Sequence, residues 1–440
     1  MSREMKDSKS QWLGNIPTNW GKTRLKYAYD NSNGSAVRVG PFGSALPSSD
    51  YVEEGEWVYN QRTVLDKNFK TNTTCITKAK ADSLGGFRVY PKDILITTRG
   101  TLGHIAVVPD NAPSGVLHPC IIRFRVKSTI ILPNLLDYMF NQSDYFIKQI
   151  EFANNSTTID ALYSYNLKDL IIPRIPLSEQ HQIVHFLDRE CSAIDTAIEK
   201  TKESIEKLEE YKKSVITKAV TKGLDPDAKM KDSGVEWIGK VPEGWEIKQL
   251  RMFYSRRANK NKGLLEKNLL SLSYGNIIRK NIDTKEGLLP ESFEGYNIVE
   301  KGDIVIRGTD LQNDHKSLRT GLVTERGIIT SAYMTLMPKN DINSEYYHYL
   351  LHCYDIEKVF YSMGGGLRQS LEYWEFIRTP VLEPSKKEQE EIVIYIKDKC
   401  SAIDALITKK QEAISKWEEY KKSLIYYAVT GKIDCRNEAV

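Results

Sequence analysis

Apolar residues along this chain change their spacing twice. Between 177 and 222 they fall at alternating four- and three-residue steps: Leu187, Cys191, Ile194, Ile198, Ile205, Leu208, Val215 and Ala219, with Thr201 and Lys212 as polar members of the seam. Between 385 and 430 the steps recur at Ile396, Cys400, Ile403, Ile407, Ile414, Trp417, Leu424 and Ala428, with Lys410 and Lys421 in the polar slots. A period of about 3.5 residues held over several heptads predicts two long helices that pair as a coiled coil. Pro384 and a Ser385-x-x-Glu388 capping box open the second helix; the first has Pro176 and Ser178, with His181 where a glutamate would stand. Gly223 and Gly431 supply the C-terminal stops.

The stretches before each helix follow another pattern. Short apolar runs bounded by turn residues, such as "DILITTRG" at 93–100, "HIAVVPD" at 104–110, "CIIRFRVK" at 120–127 and "GDIVIRGTD" at 302–310, predict strands. Asp93-Ile-Leu-Ile and Asp303-Ile-Val-Ile read as equivalent strands. Residues 133–150 and 344–363 carry helical spacing, so each head is expected to be an α+β domain on a curved sheet.

The patterning is duplicated in the letters themselves. "EQHQIV" at 179–184, "CSAID" at 191–195, "EEYKKS" at 209–214 and "AVTKG" at 219–223 return 209 positions later as "EQEEIV", "CSAID", "EEYKKS" and "AVTGK". "WLGNIPTNW" at 12–20 pairs with "WIGKVPEGW" at 237–245 at an offset of 225, so the first copy carries about sixteen more residues inside. Two similar scaffolds hold two different inserts. The expected architecture is α+β: two globular heads, 1–176 and 237–384, with long helices at 177–222 and 385–432, a linker at 223–236 and a tail at 433–440. The short linker favours antiparallel pairing of the helices, giving a pseudo-two-fold dumbbell. About 33 helical residues would span roughly 50 Å at ~1.5 Å each, near the length of ~15 base pairs.

Composition adds little. The 440 residues are 40% hydrophobic and 27% charged, ordinary for a soluble globular protein. No run has the length of a membrane span and the first residues are polar, so a cytoplasmic protein with no membrane partner is expected. The six cysteines show no C-x-x-C pair, which argues against a zinc ribbon or a disulfide framework, and a net charge of +4 permits a nucleic-acid partner without demanding one.

Motifs for catalysis are missing. There is no phosphate-binding G-x-x-x-x-G-K-[ST], no G-x-G-x-x-G, no H-E-x-x-H and no G-x-S-x-G elbow. The candidate residues suit binding. "RMFYSRRANKNK" at 251–262 offers Arg256, Arg257, Lys260 and Lys262 beside Phe253 and Tyr254, a mixture suited to phosphate. Arg38, Gly40, Gly43 and Ser44 lie on a glycine-punctuated loop that suits backbone donation to phosphate. Arg99 and His104 in the first half, and Arg307, Gln312 and Arg319 in the second, follow the equivalent strands and are of types that read base edges. Arg368, beside the glycine run 364–366, completes the set.

The W-x-G-x-x-P-x-x-W opening of each half, the E-Q-x-x-I start of each long helix behind a proline, the S-A-I-D segment and the Gly40-Pro41-Phe42-Gly43-Ser44 loop resemble the specificity subunits of type I restriction-modification systems. The second half has no equivalent of that loop. The resemblance spans residues 12–432. It implies two target recognition domains that bind a bipartite double-stranded DNA sequence, with helices that space them. It also implies docking to two modification subunits that methylate adenine N6, and through them to restriction subunits. S-adenosylmethionine, ATP and Mg2+ would then sit on those partners and this chain would be non-catalytic. The competing readings are a bivalent coiled-coil scaffold without DNA, and a single-chain nuclease or methyltransferase.

Overall fold

The structure is a computed structural model that describes the chain outside residues 1–2, 33, 72–73, 155–160, 284–289, 291, 310, 312–317, 364–369 and 437–440. It divides into two compact units, Met1–Thr201 with Gln411–Val440, and Lys202–Lys410. Each unit has the same plan.

A unit begins with a two-stranded ribbon: Met5–Asp7 pairs antiparallel with Asn15–Pro17 in the first, and Met230–Asp232 with Lys240–Pro242 in the second. The segment 223–236, expected to be a plain linker, therefore contains a strand. The repeated unit also starts earlier than its tryptophans suggest, because "MKDS" at 5–8 recurs at 230–233. Next comes a stem in which the strand leading into the insert pairs antiparallel with the strand leading out. Gly21–Arg24 lies on Ile171–Arg174 in the first unit, and Glu246–Gln249 on Pro380–Glu383 in the second. Everything between the two stem strands is the insert.

Each insert carries two sheets. In the first unit a four-stranded sheet has the order Ile105–Val107, Ile94–Thr97, Ile121–Phe124, Val37–Val39, beside a five-stranded sheet of short strands that includes Glu56–Tyr59 and Gly115–Leu117. In the second unit the strands Tyr254–Arg256, Met334–Pro338, Ile304–Ile306 and Thr320–Leu322 form one four-stranded sheet, and Asn276–Lys280, Leu269–Ser273, Gly327–Ile329 and Asn297–Val299 another. The strands after Asp93 and Asp303 are equivalent. Both aspartates are buried, and each carboxylate accepts a backbone N–H from three residues upstream, Tyr90 at 2.8 Å and Glu300 at 2.9 Å. Each also meets an arginine from a neighbouring strand region, Arg125 in the first unit and Arg257 in the second.

The long helices run Leu177–Lys222 and Lys386–Val429, and each contributes its halves to different units. Within each unit the two halves lie antiparallel. Lys421 Nζ meets Asp195 at 2.7 Å in the first unit, and Lys212 Nζ meets Asp404 at 2.7 Å in the second. These ion pairs are one contact written twice, because 212 and 421, like 195 and 404, are 209 apart. The aspartate ends S-A-I-D and the lysine sits in EEYKKS, so two repeated motifs are partners. As part-exposed pairs they contribute under about 1 kcal/mol each; their value lies in register. Leu187, Cys191, Ile194, Ile198, Ile396 and Ile403 are buried as the heptads predict. Ile205, Leu208, Ile407 and Ile414 are only half-buried, and Trp417 is exposed, since a two-helix seam without a third element leaves one side open.

The remaining motifs meet at one junction in each unit. The second tryptophan of each W-x-G-x-x-P-x-x-W, Trp20 or Trp245, is buried and donates its indole N–H to the glutamate of E-Q: Trp20 to Glu179 at 2.9 Å, Trp245 to Glu388 at 2.8 Å. Glu388 therefore does not complete the capping box, although its N–H does bond Ser385 Oγ at 3.3 Å. The counterpart of Glu388 is Glu179, not His181. Burial would raise the Glu179 carboxyl, but donors from Arg3, Trp20 and Asn19 outweigh it and hold it below the ordinary value. A glycine ends the helix half that packs on each tryptophan. A Cβ on Gly431, at φ 73°, would lie 2.5 Å from the Pro17 ring and 3.0 Å from Trp20; one on Gly223, at φ 74°, would lie 3.3 Å from Trp245.

The two glycines thus differ in a measurable way. Left-handed backbone alone costs an L-residue about 1–2 kcal/mol, so Gly223→Ala should destabilise by that order. Gly431→Ala should cost more, because its methyl also collides with Pro17. Denaturant unfolding of the full chain checks this, and an equal or smaller loss for Gly431→Ala would contradict the junction.

Candidate nucleic-acid interface

In the first unit the candidate loops gather where the four-stranded sheet ends. Strand Val37–Val39 runs into Gly40, whose N–H bonds Ile121 O at 2.9 Å, and a Cβ there would lie 2.1 Å from His118 O. Only glycine allows that approach. The chain then exposes Phe42 (88%) and turns through Gly43–Ala45 with Gly43 and Ser44 in solvent. Beside it, strand Ile94–Thr97 ends at Thr98, which bonds Cys120 O through its N–H at 3.2 Å and its hydroxyl at 2.8 Å. Arg99 follows, exposed. The 118–121 segment thereby holds the Gly40 loop and the Arg99 loop together.

Two members of the set stand apart. The Arg38 guanidinium is exposed but held, bonded to Gly86 O at 3.0 Å and resting over Phe87 at 5.4 Å. His104 is half-buried just before the return strand of the hairpin, where burial and then the Lys67 charge lower its pKa.

The second unit divides its candidates more sharply. Arg256 is exposed and stacks over Tyr373 at 5.6 Å. Lys262 is exposed on the turn Lys262–Leu264, and Gly263 there has φ 73°. This turn follows the strand equivalent to Val37–Val39. Lys260 is exposed but bonds Gly295 O at 2.8 Å. Arg307 is half-buried, and its N–H bonds Arg319 O at 2.8 Å.

Arg257 and Arg319 leave the candidate set. Arg257 lies mostly inside, paired with Asp303, whose carboxyl burial raises more than Arg257 and the Glu300 N–H lower it. Arg319 is 0% exposed; its guanidinium donates to Thr309 O at 2.8 Å and Arg307 O at 3.2 Å, and packs on Tyr361. Both arginines are needed by the fold. Phe253 and Tyr254 are core residues, so the basic stretch has no aromatic face of its own. Gln312 and Arg368 lie outside the described residues.

Sequence reading passed over Tyr163, Tyr165 and Trp374. They are exposed aromatics just past Leu162 and Leu371, whose N–H groups bond the strand-end carbonyls of Thr98 and Gly308, each at 2.8 Å. Leu162 and Leu371 stand 209 apart, in the register of the repeat; the fold adds that both are bonded to the end of the equivalent strand.

Adjacent arginines should therefore behave differently. Arg257→Ala leaves the buried Asp303 carboxylate without its cation and should cost about 3–5 kcal/mol. Arg256→Ala should stay within about 0.5 kcal/mol of wild type. Urea titrations of both variants test this, and a similar small loss in both would contradict the division.

The family model of the type I restriction modification DNA specificity domain matches residues 43–210. The putative type I restriction enzyme MjaX specificity subunit of Methanocaldococcus jannaschii is 25% identical over 434 residues, covering 96% of this chain and 95% of that protein. The MjaVIII specificity subunit of the same organism is 25% identical over 344 residues, 73% of this chain and 75% of that protein. A solved chain described as "Structural basis underlying complex assembly and conformational transition of the type I R-M system" has a TM-score of 0.65 at 15% identity, covering 95% of this chain and 99% of that chain. The HsdS subunit from Thermoanaerobacter tengcongensis gives 0.52 at 16% identity, over 95% and 98%. Residues 43–210 thus match the type I restriction modification DNA specificity domain, and the chain as a whole is similar in sequence to the specificity subunits of type I restriction enzymes and shares the fold of the solved chains.

Proposed function

We propose that the chain reads a split double-stranded DNA target, one half-site per unit, and directs adenine-N6 methylation and restriction by partner subunits. One observation carries this reading. The two units repeat the same tryptophan–glutamate junction and the same lysine–aspartate helix contact, yet expose different rims: Phe42 and Arg99 in one, Arg256 and Lys262 in the other. Identical scaffolds suit two copies of one modification subunit, and different rims suit two different half-sites.

The exposed cations would place the duplex by its phosphates, a sequence-independent and salt-sensitive interaction. Side chains at the strand-end loops would then reach base edges. The chemistry belongs to the partners in this reading: S-adenosylmethionine on the modification subunits, ATP and Mg2+ on the restriction subunits. This chain would contribute address, not catalysis. The DNA-free scaffold is disfavoured by the specificity-domain match over 43–210.

Mapping N6-methyladenine across the host genome, with and without this gene, tests the proposal. Loss of methylation at one bipartite motif with a fixed unspecified gap is the expected result. Survival of every methylated motif in the deletion strain, with the partner subunits expressed, would overturn it.

A further inference from the structure

Tyr165 and Trp374 occupy matching places. Each lies three residues beyond the leucine that bonds a strand-end carbonyl, Thr98 O in one unit and Gly308 O in the other. Each sits on a single helical turn, Ser164–Lys168 or Tyr373–Phe376. Each turn is pinned by a fully buried residue two positions on, Leu167 or Phe376. The rings nevertheless point out: Tyr165 is 54% exposed and Trp374 72%.

Both are braced rather than loose. Tyr163 stacks on Tyr165, with centroids 5.4 Å apart and planes at 7°. Trp374 meets Tyr373 edge to face at 5.0 Å, and the Arg256 guanidinium lies over the far ring of that pair, 5.6 Å from Tyr373. Single exposed aromatics are common and mean little. Two at equivalent positions, each braced and each beside a strand-end loop, are a shared feature of the two rims.

We propose that Tyr165 and Trp374 are aromatic contacts to the target DNA, each ring packing against the bases or sugars of the half-site read by its own unit. This rests on the reading of the chain as a DNA specificity subunit. Two observations favour DNA over a protein partner. The neighbouring cation, Arg256, matches phosphate. The flanking residues differ between units, Tyr163 and Ser164 against Glu372 and Tyr373, which suits unlike half-sites and not two copies of one subunit. A braced ring has little conformational freedom left to lose, so its contact with a thymine methyl or a sugar is realised nearly in full.

The experiment uses the full chain assembled with its modification subunits and a fluorescein-labelled duplex carrying the methylated motif, with a scrambled duplex as reference. Anisotropy gives affinity, and native mass spectrometry gives assembly. Trp374→Ala should weaken motif binding about tenfold, the scale of losing the readout of one base pair, and Tyr165→Ala somewhat less. Trp374→Phe should recover most of the loss, and Tyr90→Ala, at the other end of the Ile94–Thr97 strand, should change nothing. Unchanged affinity in Trp374→Ala and Tyr165→Ala with assembly intact would overturn the proposal. So would loss of assembly with unchanged affinity per assembled complex, which would mark the rings as protein contacts. If the wild-type complex itself does not prefer the motif duplex, the DNA-specificity reading fails first and this proposal falls with it.

Discussion

An indole N–H held by a glutamate organises each half of this protein. Trp20 on Glu179 and Trp245 on Glu388 lock the opening ribbon of a unit to the start of its own long helix. An unpaired indole N–H buried at such a place would cost about 1–3 kcal/mol, so the pair restricts which residues can stand on either side. The helix half that completes the junction must end on a residue that tolerates positive φ and close contact with the tryptophan, which is why glycine stands at 223 and 431. One constraint thereby explains three motifs separated by hundreds of residues. The fourth pairing, lysine of EEYKKS with aspartate of S-A-I-D, sets the sliding register of the two helix halves.

With the junction fixed, the insert is free to vary. It leaves and returns through adjacent antiparallel stem strands, Gly21–Arg24 with Ile171–Arg174 and Glu246–Gln249 with Pro380–Glu383. The two inserts of this chain differ in size and in the makeup of one sheet, while their stems are paired alike. Some internal features are kept nevertheless. The buried aspartate that opens the central strand is one, and the leucine N–H bonded to the strand-end carbonyl is another. They are the parts of an insert that its own core requires.

The long helices were legible because heptad spacing is a local signal, and the repeat was legible because letters can be compared directly. The site was less so. Arg256 and Arg257 are neighbours of identical type, and only the strand's alternation of faces separates an exposed cation from one committed to Asp303. Arg319 reads as a loop-tip arginine but lies at 0% exposure, because Thr309 and Arg307 offer carbonyls that a short local pattern does not reveal. His181 stands at the capping-box position counted from Ser178, yet the repeat pairs Glu179 with Glu388; what the letters do not reveal is that Glu179 holds Trp20, Asn19 and Arg3, more than 150 residues away in sequence. Tyr165 and Trp374 stand 209 apart, but only Leu162 and Leu371 match near them, so their common place at a strand end needed the fold.

The central claim is that the inserts are interchangeable readers on a fixed frame. The most direct measurement replaces residues 246–383 with a second copy of 21–174, cutting at the stem strands, and maps N6-methyladenine in cells that express the altered chain with its partner subunits. The account predicts a new symmetric motif in which the first half-site appears twice, inverted, across an unspecified gap. Methylation that keeps the original asymmetric motif would contradict it.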